Sequence, residues 1–257
     1  MLFRPLALAL IGVLALMRPV LAEEPPVIAA ASDLQGALTE IAADFTASTG
    51  QEVSLSFGST GKFVTQIREG APFQMFLAAD ESFVLDLARD GFTDGEGALY
   101  GVGRIAIIVP NGSGLVADGT LEGLRVALAE ERISHFAIAN PEHAPYGKRA
   151  EEALRHAGLW DAIQPHLVLG ENVAQAAQFA LSGDAEGGIV AWSLALAPEV
   201  TAQGTAALIP EDWHEPLLQR MVLLRDAGPV ARAFYDYMSS PAAHAVMERY
   251  GFALPEG

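Results

Sequence analysis

One local pattern recurs along this chain: a short apolar run, a turn of small polar residues, and then apolar residues at helical spacing. Residues 27–31 form such a run before Ser32-Asp33, and a helical pattern follows as far as Gly50. The same order occurs at residues 53–57, where the turn Gly58-Ser-Thr-Gly61 leads into another helical pattern. Strands that alternate with helices predict an α/β fold whose sheet is largely parallel and has crossover helices.

The alternation continues and divides the chain into two lobes. Strands are predicted at residues 75–79 and 104–109, a turn signal follows the second of these, and the edge of the first lobe is placed near it. Further strands are predicted at 136–139, 167–169 and 187–191, and the apolar segment 217–224 is expected to return to the first sheet. The expected organisation is a leader at 1–22, lobe I at 23–105 and 217–257, and lobe II at 106–216.

The composition indicates a folded and acidic protein. Of the 257 residues 51% are apolar and 18% are charged, which supports a sizeable core. The formal net charge of −17 makes nucleic acid and anionic membranes poor partners. Cysteine is absent, so stability must come from the core and not from disulfides.

The N-terminal segment has the pattern of a secretory signal. Arg4 supplies the positive charge, residues 6–17 a short apolar stretch, and Val20-Leu-Ala22 a small-residue cleavage site before Glu23. The apolar stretch is too short to span a bilayer. Because no cysteine is available for a lipid anchor, we expect a soluble periplasmic protein whose mature chain begins at Glu23.

Four turns of small or polar residues precede predicted helices. They are Ser32-Asp33, Ser59-Thr60, Pro145-Tyr146 and Asn172-Val173. A helix start leaves about four backbone N–H groups unpaired and carries the positive end of the helix dipole. Several converging starts could therefore hold a small anion without a positive side chain. The simpler alternative for the first turn is that Ser32 or Asp33 merely caps its helix.

Other chemistries have weaker support. The second turn is not a phosphate-binding P-loop, since that motif's first glycine and its final Ser or Thr are replaced by Ser56 and Phe63. The histidines show no metal-ligand spacing; they are His135, His143, His156, His166, His214 and His244. Lys62 lies near the second turn and is interpreted as solvated. Trp192 lines either the cleft or the core.

Longer motifs resemble one known family. The chain is similar to the ModA family, the periplasmic molybdate-binding proteins of ABC importers. The similarity covers nearly all of the mature chain. Its most specific segments are Phe57-Gly-Ser-Thr-Gly, Gln66-Ile-Arg-Glu-Gly-Ala-Pro72, Ala78-Ala-Asp-Glu81, Asn140-Pro-Glu-His-Ala-Pro-Tyr-Gly147 and Phe234-Tyr-Asp-Tyr237.

This resemblance implies a fold and a site. The implied fold is a type II substrate-binding protein, with two α/β lobes of mixed sheets that close over a tetrahedral oxyanion. The implied ligand contacts fall on the same four turns: Ser32, Asp33, Thr60, Tyr146 and Val173, with Ser59 as a possible addition. The family's tyrosine on a later strand is replaced by Ala191, and a carboxylate at Asp33 would repel a dianion unless its side chain turns away.

The expected ligand is molybdate or tungstate, bound as an unprotonated dianion. Neutral donors reject a protonated anion because its hydrogen meets another donor. We expect no cofactor, no free metal cation and no catalysis; the expected partner is the permease of an ABC importer, and the protein is expected to be a monomer. Two alternatives stay open: binding of another oxyanion such as sulfate, and an exported hydrolase that uses Ser59 or Thr60 and for which the sequence shows no adjacent base.

Overall fold

A computed structural model describes residues 24–255 of the chain; the predicted leader at 1–22 lies outside this range. Within it the strands are β1 Val27–Ala31, β2 Ser54–Gly58, β3 Phe73–Ala78, β4 Ala98–Gly103, β5 Ile105–Pro110, β6 Phe136–Ala139, β7 Leu167–Gly170, β8 Gly187–Ala191, β9 Gly204–Leu208 and β10 Leu217–Leu223. The α-helices are α1 Gln35–Thr49, α2 Thr60–Arg68, α3 Glu81–Arg89, α4 Glu122–Ala129, α5 Pro145–His156, α6 Trp160–Ile163, α7 Val173–Leu181, α8 Trp192–Ala195, α9 Pro198–Gln203, α10 Pro229–Met238 and α11 Pro241–Arg249.

The first sheet has the strand order β2-β1-β3-β10-β4. Strands β1, β2 and β3 pair in parallel, as the strand–helix alternation predicts. Strand β10 pairs antiparallel with both β3 and β4, so the predicted return of the late apolar segment to this sheet is confirmed. Helix α1 packs its buried residues Ala37, Leu38, Ile41 and Phe45 against the sheet and ends at Gly50, whose positive φ of 71° suits glycine.

The second sheet has the order β7-β6-β8-β5-β9 and is also mixed. Strands β7, β6 and β8 are parallel, whereas β5 runs antiparallel to β8 and β9. Helices α5 and α7 bury small apolar residues, among them Ala150 and Ala176, against this sheet. The two sheets are thus two α/β layers of the same plan, and the mixed two-lobed type II fold is confirmed.

The chain passes between the sheets twice, directly from β4 to β5 and again from β9 to β10. The first sheet takes its strands from residues 27–103 and 217–223, and the second from 105–208. We propose the lobe boundaries 23–105 with 217–257, and 106–216, on this division. At the first crossing the Arg104 guanidinium donates to the carbonyl of Gly251 at 2.6 Å, which ties the C-terminal segment to the link.

Some details differ from the sequence-based expectations. Helix α5 begins at Pro145, so the predicted turn Pro145-Tyr146 is the first part of the helix itself, because proline fits the first helical position, where no N–H partner exists. Ser32 and Asp33 lie inside a short 3₁₀ turn before α1, and neither side chain caps a helix. No helix of the described part of the chain is long and apolar enough to cross a membrane.

Candidate functional site

The four predicted turns meet at one small cavity between the two lobes. It is lined by all five predicted ligand residues and by Ser59: Ser32, Asp33, Ser59, Thr60, Tyr146 and Val173. The rest of the lining is small or apolar: Ala31, Gly58, Ala79, Ala144 and Pro145. No lysine, arginine or histidine side chain is among these described lining residues.

Three α-helices point their first turns at the cavity. Thr60 is the first residue of α2, Tyr146 the second of α5, and Val173 the first of α7. Each is at most 3% exposed. No backbone or side-chain acceptor within residues 24–255 takes a hydrogen bond from their N–H groups. Because buried N–H groups are nearly always paired in native proteins, the arrangement is complementary to a ligand made of acceptors.

Two hydroxyl groups are set up as donors. Thr60 Oγ1 accepts the N–H of Ala79 at 3.1 Å, and Ser32 Oγ accepts the N–H of Ala174 at 3.3 Å. An oxygen that already accepts a backbone N–H keeps its own hydrogen for another acceptor. Both hydroxyls therefore add to the donor character of the cavity. The Ser32 contact also joins the two lobes, since Ala174 lies on α7.

Asp33 is engaged in a buried network. Its Oδ2 accepts from the Tyr146 hydroxyl at 3.0 Å and from Gln219 Nε2 at 2.8 Å. Burial raises the pKa of Asp33 to about 6, and the hydrogen bonds from Gln219 and Tyr146 partly oppose that rise. Its other oxygen, Oδ1, is buried with no partner in the described chain. The sequence alone could not reveal this network, because Gln219 is 186 positions away in the chain.

His143 shows no metal-ligand spacing in the sequence, and the structure places it beside the second turn. A hydrogen bond joins its Nδ1 to Ser59 Oγ at 3.1 Å, and its Nε2 lies 3.6 Å from a carboxylate oxygen of Glu171. The expectation that no base lies next to the turn hydroxyls is therefore wrong. The signal in the sequence is the position of His143, two residues before a helix that bears the predicted ligand residue Tyr146.

Other residues weighed from the sequence lie outside the cavity lining. Lys62 pairs with Glu171 at 3.5 Å, and both side chains are about half exposed. Ala191 is buried at the end of β8, opposite Ile105, and Trp192 packs partly buried against the core of the second lobe. The site is therefore built from turns and helix starts.

A larger groove lies beside the cavity, between α1 and the helices α7 to α9. Its walls mix alanine, leucine and valine with glutamine, serine and threonine, and they carry the acidic residues Glu40 and Glu199. It has the wrong charge for an anion. Among the described residues, no three acidic or histidine side chains come together as a metal site would require.

Two α/β lobes joined by two crossings, with a polar cavity of convergent donors between them, define a substrate-binding protein. A family model described as bacterial extracellular solute-binding protein matches residues 26–253. The "Molybdate-binding protein ModA" of Rhodobacter capsulatus is 34% identical, over 96% of this chain and 94% of the relative. That of Azotobacter vinelandii is 36% identical, over 88% of this chain and 89% of the relative.

The solved structure of the Azotobacter vinelandii periplasmic molybdate-binding protein superposes with a TM-score of 0.80 and 29% sequence identity. The match covers 90% of this chain and 100% of that one. The chain belongs to the ModA family of bacterial extracellular solute-binding proteins.

Proposed function

We propose that the protein binds molybdate, and tungstate about equally well, as an unprotonated tetrahedral dianion. The observation that carries this proposal is the set of buried N–H groups of Thr60, Tyr146 and Val173, which have no acceptor in the described chain. The Ser32 and Thr60 hydroxyls add two donors, and the Asp33 N–H and Ser59 are further candidates. Hydrogen bonds to a charged acceptor are worth about 1.5–3 kcal/mol each, so a few suffice for tight binding.

The donor set also selects the protonation state of the ligand. Every group assigned to the anion presents a hydrogen. A hydrogen phosphate ion would bring its own hydrogen against one of them, leaving two donors opposed and unpaired. Molybdate, tungstate and sulfate are fully ionised at neutral pH and avoid that conflict. The protein must then distinguish these three anions by their size. The names of the relatives favour molybdate.

We infer a role in transport and not in catalysis. The relatives are named as binding proteins, and the segment 1–22 has the pattern of a secretory signal. The protein would act in the periplasm as a monomer, without a lipid anchor, and deliver its ligand to the permease of an ABC importer. Molybdate is the cargo in this scheme, not a cofactor.

One specific observation favours the hydrolase alternative: the hydrogen bond between Ser59 and His143. A catalytic triad would also need a carboxylate beside His143, and Glu171 is poorly placed for that role. Glu171 is about half exposed, lies 3.6 Å from the imidazole nitrogen, and is shared with Lys62. A triad carboxylate is buried and hydrogen-bonded to the histidine. The pair is better explained as a contact between the lobes.

Thermal unfolding with molybdate, tungstate, sulfate or phosphate tests the proposal. A ligand at a hundred times its Kd adds about 2.7 kcal/mol of stability, so binding appears as a clear rise in Tm. We expect a rise with molybdate and tungstate and none with phosphate at equal ionic strength. A rise with sulfate of the same size would change the ligand but keep the oxyanion cage. No rise with any of the four anions would contradict the proposal.

A further inference from the structure

One residue links three of the segments that carry the proposed ligand donors. His143 lies in the loop before α5; its carbonyl accepts the N–H of Gly61 in α2 at 2.9 Å, and its ring bonds Ser59 Oγ. The far side of the ring faces Glu171, which precedes α7. The residue thus touches the turn before α2, the start of α5 and the approach to α7. It lines none of the cavity itself.

The contact between the lobes at this point is close because position 61 is glycine. A Cβ on residue 61 would lie 2.8 Å from the His143 carbonyl oxygen and 3.0 Å from its Cβ. Such distances are below van der Waals contact and involve backbone atoms, which cannot turn aside. The backbone of Gly61 is helical, so alanine there would favour α2 and would oppose only the approach of the loop.

We propose that His143 and Gly61 form a clasp that holds the two lobes together over the anion, with His143 as a positioning residue for binding. The inference rests on the proposed function. The clasp does not contact the ligand and acts through the groups that do. It aligns the first turns of α2 and α5 so that both sets of N–H groups face the same anion. Its loss therefore speeds release of the ligand, while the first encounter in the open form is unaffected.

The test measures the release of radiolabelled molybdate, chased with excess unlabelled molybdate, together with its association rate. We expect His143→Ala to release the anion roughly five- to tenfold faster, the effect of one lost hydrogen bond, with association changed by less than about twofold. Gly61→Ala should release it at least about tenfold faster, yet unfold no more easily when ligand-free.

Two amide variants separate a positioning role from simple packing. His143→Asn places a polar atom near the position of the histidine Nδ1 and should restore slow release of molybdate. His143→Gln places its polar atom near the position of Nε2 and should leave release fast. His166→Ala is the matched control, because it removes a histidine from the same lobe outside the clasp. It should release molybdate at the rate of the unsubstituted protein.

The outcomes are distinguishable. If the unsubstituted protein binds none of the oxyanions, the proposed function falls and the clasp falls with it. If it binds molybdate but His143→Ala and Gly61→Ala release it at the normal rate, the clasp alone is overturned. Equal rescue by asparagine and glutamine would assign the effect to side-chain volume and would also overturn the positioning role.

Discussion

The Thr60 hydroxyl has one partner in the structure and a second one in the proposed function, so its removal should have two separate effects. It accepts the buried N–H of Ala79, and Thr60 lines the cavity proposed for the anion, to which the hydroxyl would donate its hydrogen. Thr60→Ala should weaken molybdate binding by roughly 1–3 kcal/mol, and lower the free energy of unfolding of the ligand-free protein by a similar amount. Calorimetric titration measures the first effect and denaturant unfolding the second.

Thr60→Ser is the control for that substitution, since it keeps the oxygen and its hydrogen. It should bind molybdate nearly as well as the original residue. Unchanged affinity in Thr60→Ala would remove this hydroxyl from the site. Equal losses in the serine and alanine variants would assign the effect to the missing methyl group.

Asp33 introduces a dependence of stability on pH. Its pKa is raised from 3.8 to about 6 in the folded protein, mainly by burial. Between these values the folded protein keeps a proton that the unfolded chain has lost. The free energy of unfolding of the ligand-free protein therefore falls as the pH rises from about 4 to about 6, by about 3 kcal/mol in all, and this contribution is constant at higher pH.

Asp33→Asn tests this sign, because an amide does not ionise. We compare the free energy of unfolding of the variant with that of the unsubstituted protein. The variant's value minus the original's should become more positive by about 2.4 kcal/mol from pH 4 to pH 7. Urea unfolding at several pH values measures it, with Asp44→Asn, an exposed change on α1, as the control for altered net charge. A difference that stays constant with pH would contradict the buried-carboxyl account.

At the scale of elements, most helix starts could be predicted because each follows an apolar strand and a small polar turn. The Ser59-Thr60 and Asn172-Val173 turns do open α2 and α7. Strand β9 was not predicted, because Gly204–Leu208 is short, has alanine or glycine at three of its five positions, and lies at the edge of its sheet. Edge strands lack the continuous apolar run that marks β1 or β5.

Convergence of the helix starts was harder to predict than their existence. The order of strands in a sheet decides which turns become neighbours, and that order depends on contacts far apart in the sequence. The family resemblance supplied the grouping of Ser32, Thr60, Tyr146 and Val173. It did not supply His143 or Gln219, because their roles depend on side-chain contacts between lobes, which no local pattern encodes.

For the whole molecule, the structure shows two lobes in direct contact across the cavity. Besides the clasp, Arg149 of α5 donates to Asp80 at 2.9 Å, and both side chains are mostly buried. The cavity lies between lobes that are in contact, so we expect the lobes to separate when a ligand enters or leaves. The two links are Arg104, between β4 and β5, and residues 209–216, between β9 and β10, and they are suited to act as the hinge.

We therefore expect molybdate to shift the protein from an open to a closed arrangement. The anion accepts hydrogen bonds from donors on both lobes, so it binds the closed arrangement more tightly than the open one. This difference in affinity is what shifts the population of molecules toward the closed arrangement. Small-angle X-ray scattering should show a smaller radius of gyration with molybdate than without it, and phosphate at equal ionic strength should leave the radius unchanged. Gly61→Ala, which blocks the close approach at the clasp, should show a reduced contraction at saturating molybdate. Identical scattering with and without molybdate, in a sample shown by calorimetry to bind it, would mean that the lobes are already closed and that the ligand enters by a smaller, local opening.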